Sequence, residues 1–383
     1  MGNRVDFVYL NEEDMLKAGV SDVKSCLKSM EDMFILLHKG DYRMGGENNN
    51  DHGIVVYFPD KTDIENMPVY APDYRFMAMP AYLGGRFHMF GIKTYGSHNT
   101  NREKGLPRSI LMMQLLDIDT GAPLAYMSAN VLSAMRTACT TGVGTKYLSK
   151  KDPKVLGIVG PGVMSTYTLE AIIETQPSIE VLKVKGRGKE SLNKFLDHAK
   201  RRHPHLKEIV AVDSIEEACK DSDIVYFGTT NAKKFEDNPR VEKEWIKKGA
   251  TIISGSALVV DTDFLAQKGV RIVADNYKMY EIYAMGYELP TQRTVSPSLG
   301  MAFYDVVNEK KIRREDVSEI GAIIAKDQEG RKSEDEIIFY SVGGMAIEDV
   351  AWGYDVYQNA IKNNIGFKLN LWESPELEKF SKI

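Results

Sequence analysis

The chain has 383 residues, 43% hydrophobic and 27% charged, a balance that buries a real core and suits one large or two medium domains. A formal net charge of −5 offers no basic excess for a nucleic-acid partner. No apolar run approaches the roughly 18 residues of a membrane helix, and the first stretch, MGNRVDFVYLNEEDM, meets acids too early for a signal peptide. Gly2 follows Met1, but Asp6 stands where a myristoylation signal needs Ser or Thr. The three cysteines, Cys26, Cys139 and Cys219, are widely spaced. They point to a reducing, cytoplasmic compartment and to neither a disulfide framework nor a zinc site. The seven histidines are scattered, and His203 and His205 flank Pro204 in a polar, solvated stretch, so no metal is expected.

In chain order, Phe7–Leu10 reads as a strand. Asn11 caps a helix start, with Glu12, Glu13 and Asp14 in the dipole-favoured first turn. Val23–His38 is an amphipathic helix with Val23, Leu27, Met30, Phe34 and Leu37 on one face, ended by Gly40. A polar loop, a short strand at Ile54–Phe58 and an irregular insertion at Asp60–Tyr74 follow. Phe76–Met79, His88–Tyr95, Ser109–Asp117 and Leu124–Ser128 are short strands separated by turns, including one at Pro80, which predicts a sheet with few helices. Val131–Leu148 is one long helix lined by small residues.

From Lys154 strands and helices alternate. The strands are Val155–Val159, Val181–Lys185, Ile209–Val212, Ile224–Gly228, Thr251–Ser254 and Arg271–Asp275. Helices near Met164–Thr175, Lys189–His203, Ile215–Asp221, Lys243–Lys247 and Asp261–Lys268 separate them. This predicts an α/β fold with a doubly wound parallel sheet of Rossmann type. After Tyr277 the pattern weakens to a strand at Asp335–Ser341, a helix at Ala346–Asn363, and a charged, aromatic tail, Leu369–Ile383, suited to packing across a partner.

The strand Val155–Val159 runs into Gly160-Pro161-Gly162 and then a helix, the context of a dinucleotide site. Gly160 permits the tight turn and Gly162 lets the backbone approach a pyrophosphate. The helix start at Val163, Met164 and Ser165 offers N–H groups to that anion. Ser165 replaces the third glycine of the common fingerprint, and a plain strand–helix turn is the bland alternative. An NAD-specific site places a carboxylate at the end of the second strand. Here that end is Lys185-Gly186-Arg187-Gly188-Lys189, whose cations suit a 2′-phosphate. NADP(H) is expected over NAD(H), against the alternative of an exposed basic turn. Gly228, Thr229 and Thr230, at another strand end, suit the adenosine or nicotinamide side of the cofactor, against the alternative of a polar strand-to-loop exit.

The N-terminal half supplies isolated cations at Arg43, Lys93, Arg108 and Arg136. Lys93 interrupts an apolar strand, and a buried amine is costly unless paired or used. Arg136 stands among small apolar residues, and an arginine fork suits a carboxylate or phosphate. Together they suggest a carboxylate pocket for an amino or imino acid; ordinary salt bridges to Asp117, Asp119 or Glu103 are the alternative.

Seven stretches, in order, resemble the ornithine cyclodeaminase/mu-crystallin family. They are Met79-Pro80-Ala81-Tyr82, Gly91-Ile92-Lys93, Asp117–Ala125, Leu132–Thr137, Gly160-Pro161-Gly162, Asp223-Ile224-Val225 with Thr230, and Ser341–Asp349. The resemblance implies a homodimer of two-domain chains. Residues 1–135 and 336–383 would form an α+β substrate-binding and dimerisation domain, residues 136–335 the Rossmann domain, and substrate would bind in the cleft. It implies that Lys93, the catalytic candidate, and Arg136 bind substrate near the nicotinamide, with Arg43 or its rival Arg75 as an early carboxylate-binding arginine and Arg108 as a further substrate contact. Arg136, Thr137, Ser256, Ser341 and Val342 join the cofactor contacts. In true cyclodeaminases an aspartate follows the strand at Thr251–Ser254; Ala257 occupies that place here, and a methyl group does no acid–base work. The expected function is therefore an NADP(H)-dependent oxidoreductase acting on the C–N bond of a small amino or imino acid, of the ketimine reductase or amino-acid/opine dehydrogenase type. A cyclodeaminase-like lyase that recycles NAD(H), or a non-catalytic nucleotide-binding subunit, is the alternative.

Overall fold

Buried and half-buried side chains alternate along Arg75–Leu83 and in the first half of Met89–Ser97, so one sheet face is packed and the other is open. The computed structural model describes residues 3–71 and 74–376. The Gly2 reading, positions 72–73 of the expected insertion and positions 377–383 of the expected tail lie outside the described residues.

The chain divides into two units. The first holds the chain up to Asp22, Gly40–Arg136 and the chain from Met345; the second holds Val23–Lys39 and Thr137–Gly344. Across the first unit's sheet the order is Phe367–Trp372, Val5–Leu10, Pro123–Ser128, Ser109–Asp117, Met89–Ser97, Arg75–Leu83 and Tyr42–Met44. Ile54–Val56 also pairs with Arg75–Leu83, further along the same edge. All neighbours are antiparallel except Val5–Leu10 with Pro123–Ser128. The helix Ala346–Lys362 packs on one face of this sheet, tied by Trp352 Nε1 to the Val20 carbonyl at 3.1 Å and Asn359 Nδ2 to the Ala18 carbonyl at 2.7 Å. Asn11 caps the helix Glu12–Lys17 through a reciprocal pair with Asp14, as its sequence predicts.

The second unit is built on a parallel sheet in the order Glu208–Ala211, Val181–Lys185, Val155–Val159, Ile224–Phe227, Thr251–Ser254, Ile337–Ser341, Val270–Ala274 and Ser318–Glu319. The first five follow the Rossmann order 3-2-1-4-5. The central strands Ile224–Phe227 and Thr251–Ser254 are buried on both faces, and the first reads accordingly as an unbroken apolar run. The expected Rossmann fold is present.

Several expectations change. Pro80 does not end a strand: Arg75–Leu83 runs through it. On that edge Ile54–Val56 pairs with 76–78 and Tyr42–Met44 with 81–83, so Pro80 falls in the gap between two short strands, where no N–H is required. Ile337–Ser341 lies between Thr251–Ser254 and Val270–Ala274, so the second unit extends to Gly344 and not to 335. The helix Val23–Lys39 belongs to the second unit, where Gly321 lets another helix approach the Phe34 carbonyl. Lys243–Lys247 is a single 3-10 turn, Lys243–Trp245. The tail begins as an edge strand, Phe367–Trp372, antiparallel to Val5–Leu10. No helix among the described residues is long and apolar enough to cross a membrane.

Candidate active site

In the first unit Lys93 leaves the packed sheet face opposite Met79 and Met113 and is only 2% exposed. Its Nζ donates to Asp349 Oδ2 at 2.6 Å and to Ser133 Oγ at 3.2 Å. Ser133 and Arg136 stand three residues apart on Asn130–Leu148, hence on one helix face. Arg136 donates from Nε to Asp349 Oδ1 at 3.0 Å, from Nη1 to Glu348 Oε2 and from Nη2 to Ser133 Oγ at 3.2 Å. Glu348 and Asp349 occupy the first turn of Ala346–Lys362, where the dipole favours acids. Two cations and two carboxylates thus close a buried, charge-balanced cluster, with Asp349 bridging Lys93 and Arg136.

Burial, and then the neighbouring Arg136 charge, push the Lys93 amine down to about 8, while Asp349 and Glu348 resist that fall. For Arg136 burial opposes the charge, but Asp349 and Glu348 outweigh it and hold the guanidinium above its usual range. Arg136 is therefore a fixed cation with three of its five donors taken, and Lys93 is the group in this cluster able to exchange a proton near neutral pH.

The structure brings Lys93 and Arg136 together, but Arg43 stands elsewhere. Arg43 is exposed, donates to the Gly40 carbonyl at 3.1 Å, and pairs in register with Tyr82. Tyr82 is three residues from Met79, the partner of Lys93, so Arg43 and Lys93 leave opposite sheet faces. Arg75 pairs with Ser97, four residues from Lys93, and shares its face. Arg108 precedes Ser109, which pairs with Ser97 at that same end; its carbonyl accepts from His98 N at 2.9 Å. Glu348 and Asp349 were missed as site residues. Two adjacent acids in an apolar helix start, Ala346–Ala351, were the available signal, readable only against the two lone cations they neutralise.

In the second unit five neighbouring strands end on one edge, where ligands bind in doubly wound sheets. Gly160 has φ +90° and an added Cβ would lie 2.7 Å from the Gly228 carbonyl, so glycine is required there. Gly162 begins the helix Val163–Thr175 without a side-chain cap, nothing lies within 4 Å of where its Cβ would be, and Val163 is 73% exposed. These residues fit a pyrophosphate. Met164 is half-buried beside them. Ser165 is buried and donates its hydroxyl to the Gly160 carbonyl at 2.6 Å, so it braces the turn. Gly186 abuts Pro161, which sets Arg187 next to the turn, exposed, with Nη2 3.4 Å from Thr230 Oγ1. Lys185 reaches back to the Asp213 carbonyl.

Thr229 N donates to Ser256 Oγ at 3.0 Å, and Thr229 Oγ1 to the Ala257 carbonyl at 2.6 Å. Ala257 is 1% exposed and offers that position a methyl and a carbonyl. Val342 N donates to the Ser254 carbonyl at 3.0 Å, and Ser341 Oγ to Tyr280 Oη at 2.8 Å. Tyr280 in turn donates to Asp275 Oδ1 at 2.7 Å, whose carboxyl is pushed up by burial and also accepts from Gly343 N. This network, unseen in the sequence, fixes the strand exit at Ser341–Gly344. The Thr137 carbonyl accepts from Thr140 Oγ1 at 2.7 Å.

The chain is 30% identical over 300 residues to N-((2S)-2-amino-2-carboxyethyl)-L-glutamate dehydrogenase of Staphylococcus aureus, covering 78% of this chain and 82% of that protein. It superposes on Thermococcus litoralis Delta(1)-pyrroline-2-carboxylate reductase in complex with NADH and L-proline with a TM-score of 0.73 at 26% identity, covering 95% of this chain and 100% of that one. An archaeal alanine dehydrogenase dimer with bound NAD gives a TM-score of 0.74 at 26% identity, covering 96% and 100%. With the family model matching residues 19–364, the chain belongs to the ornithine cyclodeaminase/mu-crystallin family.

Proposed function

We propose that the protein is an oxidoreductase acting on the CH–NH or C=N group of a small amino or imino acid, of the ketimine reductase or amino-acid/opine dehydrogenase type, with NADP(H) as cofactor. The bound nicotinamide supplies or accepts the hydride. The observation that carries the reading is Lys93, an amine 2% exposed yet held near 8. It gives a proton to, or takes one from, the substrate nitrogen, while Asp349 and Ser133 aim it. Arg136 supplies a fixed positive charge for the substrate's carboxylate through its remaining donors. Gly160, Gly162, Val163 and Met164 hold the pyrophosphate; Thr229, Thr230, Ser256 and the Ser341–Val342 exit line the rest of the dinucleotide. Dehydrogenases and reductases of amino and imino acids among the relatives support the reaction class. Ala257, with no acid at its position, speaks against a cyclising lyase.

Lys185 and Arg187, with no carboxylate among residues 185–189, support NADP(H). The first unit binds substrate and also pairs with a second copy. On the sheet face away from Ala346–Lys362, Phe76, Ile110, Phe367 and Leu369 are each more than 40% exposed, and a structural relative is a dimer. Three widely spaced, buried cysteines suit a reducing, cytoplasmic compartment.

The experiment mixes the purified chain with NADPH or NADH and a panel of cyclic imines, or 2-oxo acids with amines. Substrate-dependent loss of nicotinamide absorbance, faster with NADPH, is expected. Arg187→Gln weakens NADPH binding by about tenfold and leaves NADH binding unchanged, because it removes a charge-assisted contact to the 2′-phosphate alone. Ammonia release from ornithine without net cofactor change, or no turnover with any member of the panel, sinks the oxidoreductase reading.

A further inference from the structure

Arg75 carries a guanidinium that neither the proton-handling cluster nor the dinucleotide edge uses. Its register partner Ser97 is four residues from Lys93 along the same strand. At about 3.3 Å per residue the two positions lie ~13 Å apart along one sheet face. Met77 and Tyr95 pair between them, flanked in register by Val55 and Leu111. On this face Lys93, Met79, Met113, Met77 and Ser97 are buried, and Tyr95, Leu111, Val55 and Arg75 are half-buried.

The helix Ala346–Lys362 lies over the Lys93 end of this face. Asp349 meets Lys93, Gly353 lies against Met127 and Met113, and Asp355 pairs with Arg86. The helix therefore runs from the Lys93 row away from Arg75. Arg75 lies over the Tyr95 ring, 5.8 Å from Cζ to the centroid. Its Nε is buried and has no hydrogen-bond partner among the described residues, a costly state for a charged donor. Arg136 already faces two carboxylates; Arg75 presents a planar fork still suited to one.

We propose that Arg75 binds a second, distal carboxylate of the substrate, making the substrate class an amino or imino dicarboxylate. The reacting carbon sits at Lys93, the connecting chain crosses Met77 and Tyr95, and the far acid group reaches Arg75. This rests on the reading that Lys93 stands at the C–N centre.

The test uses two amino acids of equal chain length, L-2-aminoadipate and L-norleucine, which differ only in a terminal carboxylate. Full-length protein saturated with NADP+ is titrated calorimetrically with each. The wild type binds aminoadipate about tenfold to a hundredfold more tightly, the worth of a charged hydrogen bond. Arg75→Gln erases that preference and leaves norleucine binding in place, and Arg75→Lys keeps part of it because the charge remains. Urea unfolding checks each variant, and the lysine variant carries the test if the glutamine variant does not fold. No preference in the wild type overturns the proposal. So does an equal loss for both ligands, which would make Arg75 a reader of the α-carboxylate. Turnover is followed on the same samples: a protein that prefers aminoadipate but oxidises neither amino acid keeps the role of Arg75 and loses the oxidoreductase reading.

Discussion

Lys93→Met is expected to lower turnover by about two to four orders of magnitude, the usual worth of a positioned acid or base, while leaving dinucleotide affinity unchanged. Methionine is unbranched and fills the space beside Met79 and Met113, so the loss reports the amine and not a cavity. The wild-type pH profile carries the same information. Lys93 is held near 8 by burial and by Arg136. Its ammonium is present below that value and lost above it. Reduction of a C=N bond, which needs the donor, falls as pH rises through about 8. Oxidation of the amine, which needs the free base, rises over the same interval. Rates in both directions from pH 6 to 10, with NADPH titration of the variant, check this. A variant that keeps wild-type turnover removes Lys93 from the chemistry.

Asp349→Ala has the largest expected effect on stability. The cluster of Lys93, Arg136, Glu348 and Asp349 carries two charges of each sign, and the substitution leaves two buried cations facing one carboxylate. Breaking a buried pair in this way costs about 3–5 kcal/mol, read as a fall in the urea midpoint at constant slope. Asp349→Asn keeps the shape and separates charge from packing. Because Asp349 holds the Lys93 amine up against burial, its neutralisation lowers that value further, and the pH limb of turnover moves to lower pH. A limb that stays in place, in a folded Asp349→Asn protein, would show that the limb belongs to another group.

Much of this could be read along the chain. The strands Val155–Val159, Val181–Lys185 and Thr251–Ser254 lie where the alternation of strand and helix patterns places them. The turn at Gly160 was recognisable because a glycine between a buried strand and a helix has few other uses. Lys93 stood out as an amine in an apolar strand. Less could be read where neighbours in sequence are not neighbours in space. Tyr277–Ala284 and Leu299–Asn308 are helices opened by cap-favouring residues, Asn276 and Ser298, yet beyond Tyr277 the strand–helix alternation that frames such signals weakens. Ile337–Ser341 looked like a late, isolated strand, yet its burial fits only the middle of the parallel sheet. Arg43 was the expected early substrate arginine and Arg75 its rival, because the insertion at about 48–74 blurs the strand register that puts them on opposite faces.

The sequence by itself determined the fold class, the dinucleotide turn with its basic second-strand end, and the two lone cations at Lys93 and Arg136. Each is written in local periodicity, in glycine's tolerance of positive φ, or in the cost of an isolated charge. Only the tertiary structure decided what surrounds those cations. Lys93 meets Asp349 across 256 residues of chain, and that contact, with burial, sets the amine near 8. Strand register, which no local pattern specifies, chose Arg75 over Arg43 as the arginine on its face. Proton affinity and the direction of a side chain are properties of packed neighbours, and packing brings together residues that the chain keeps far apart.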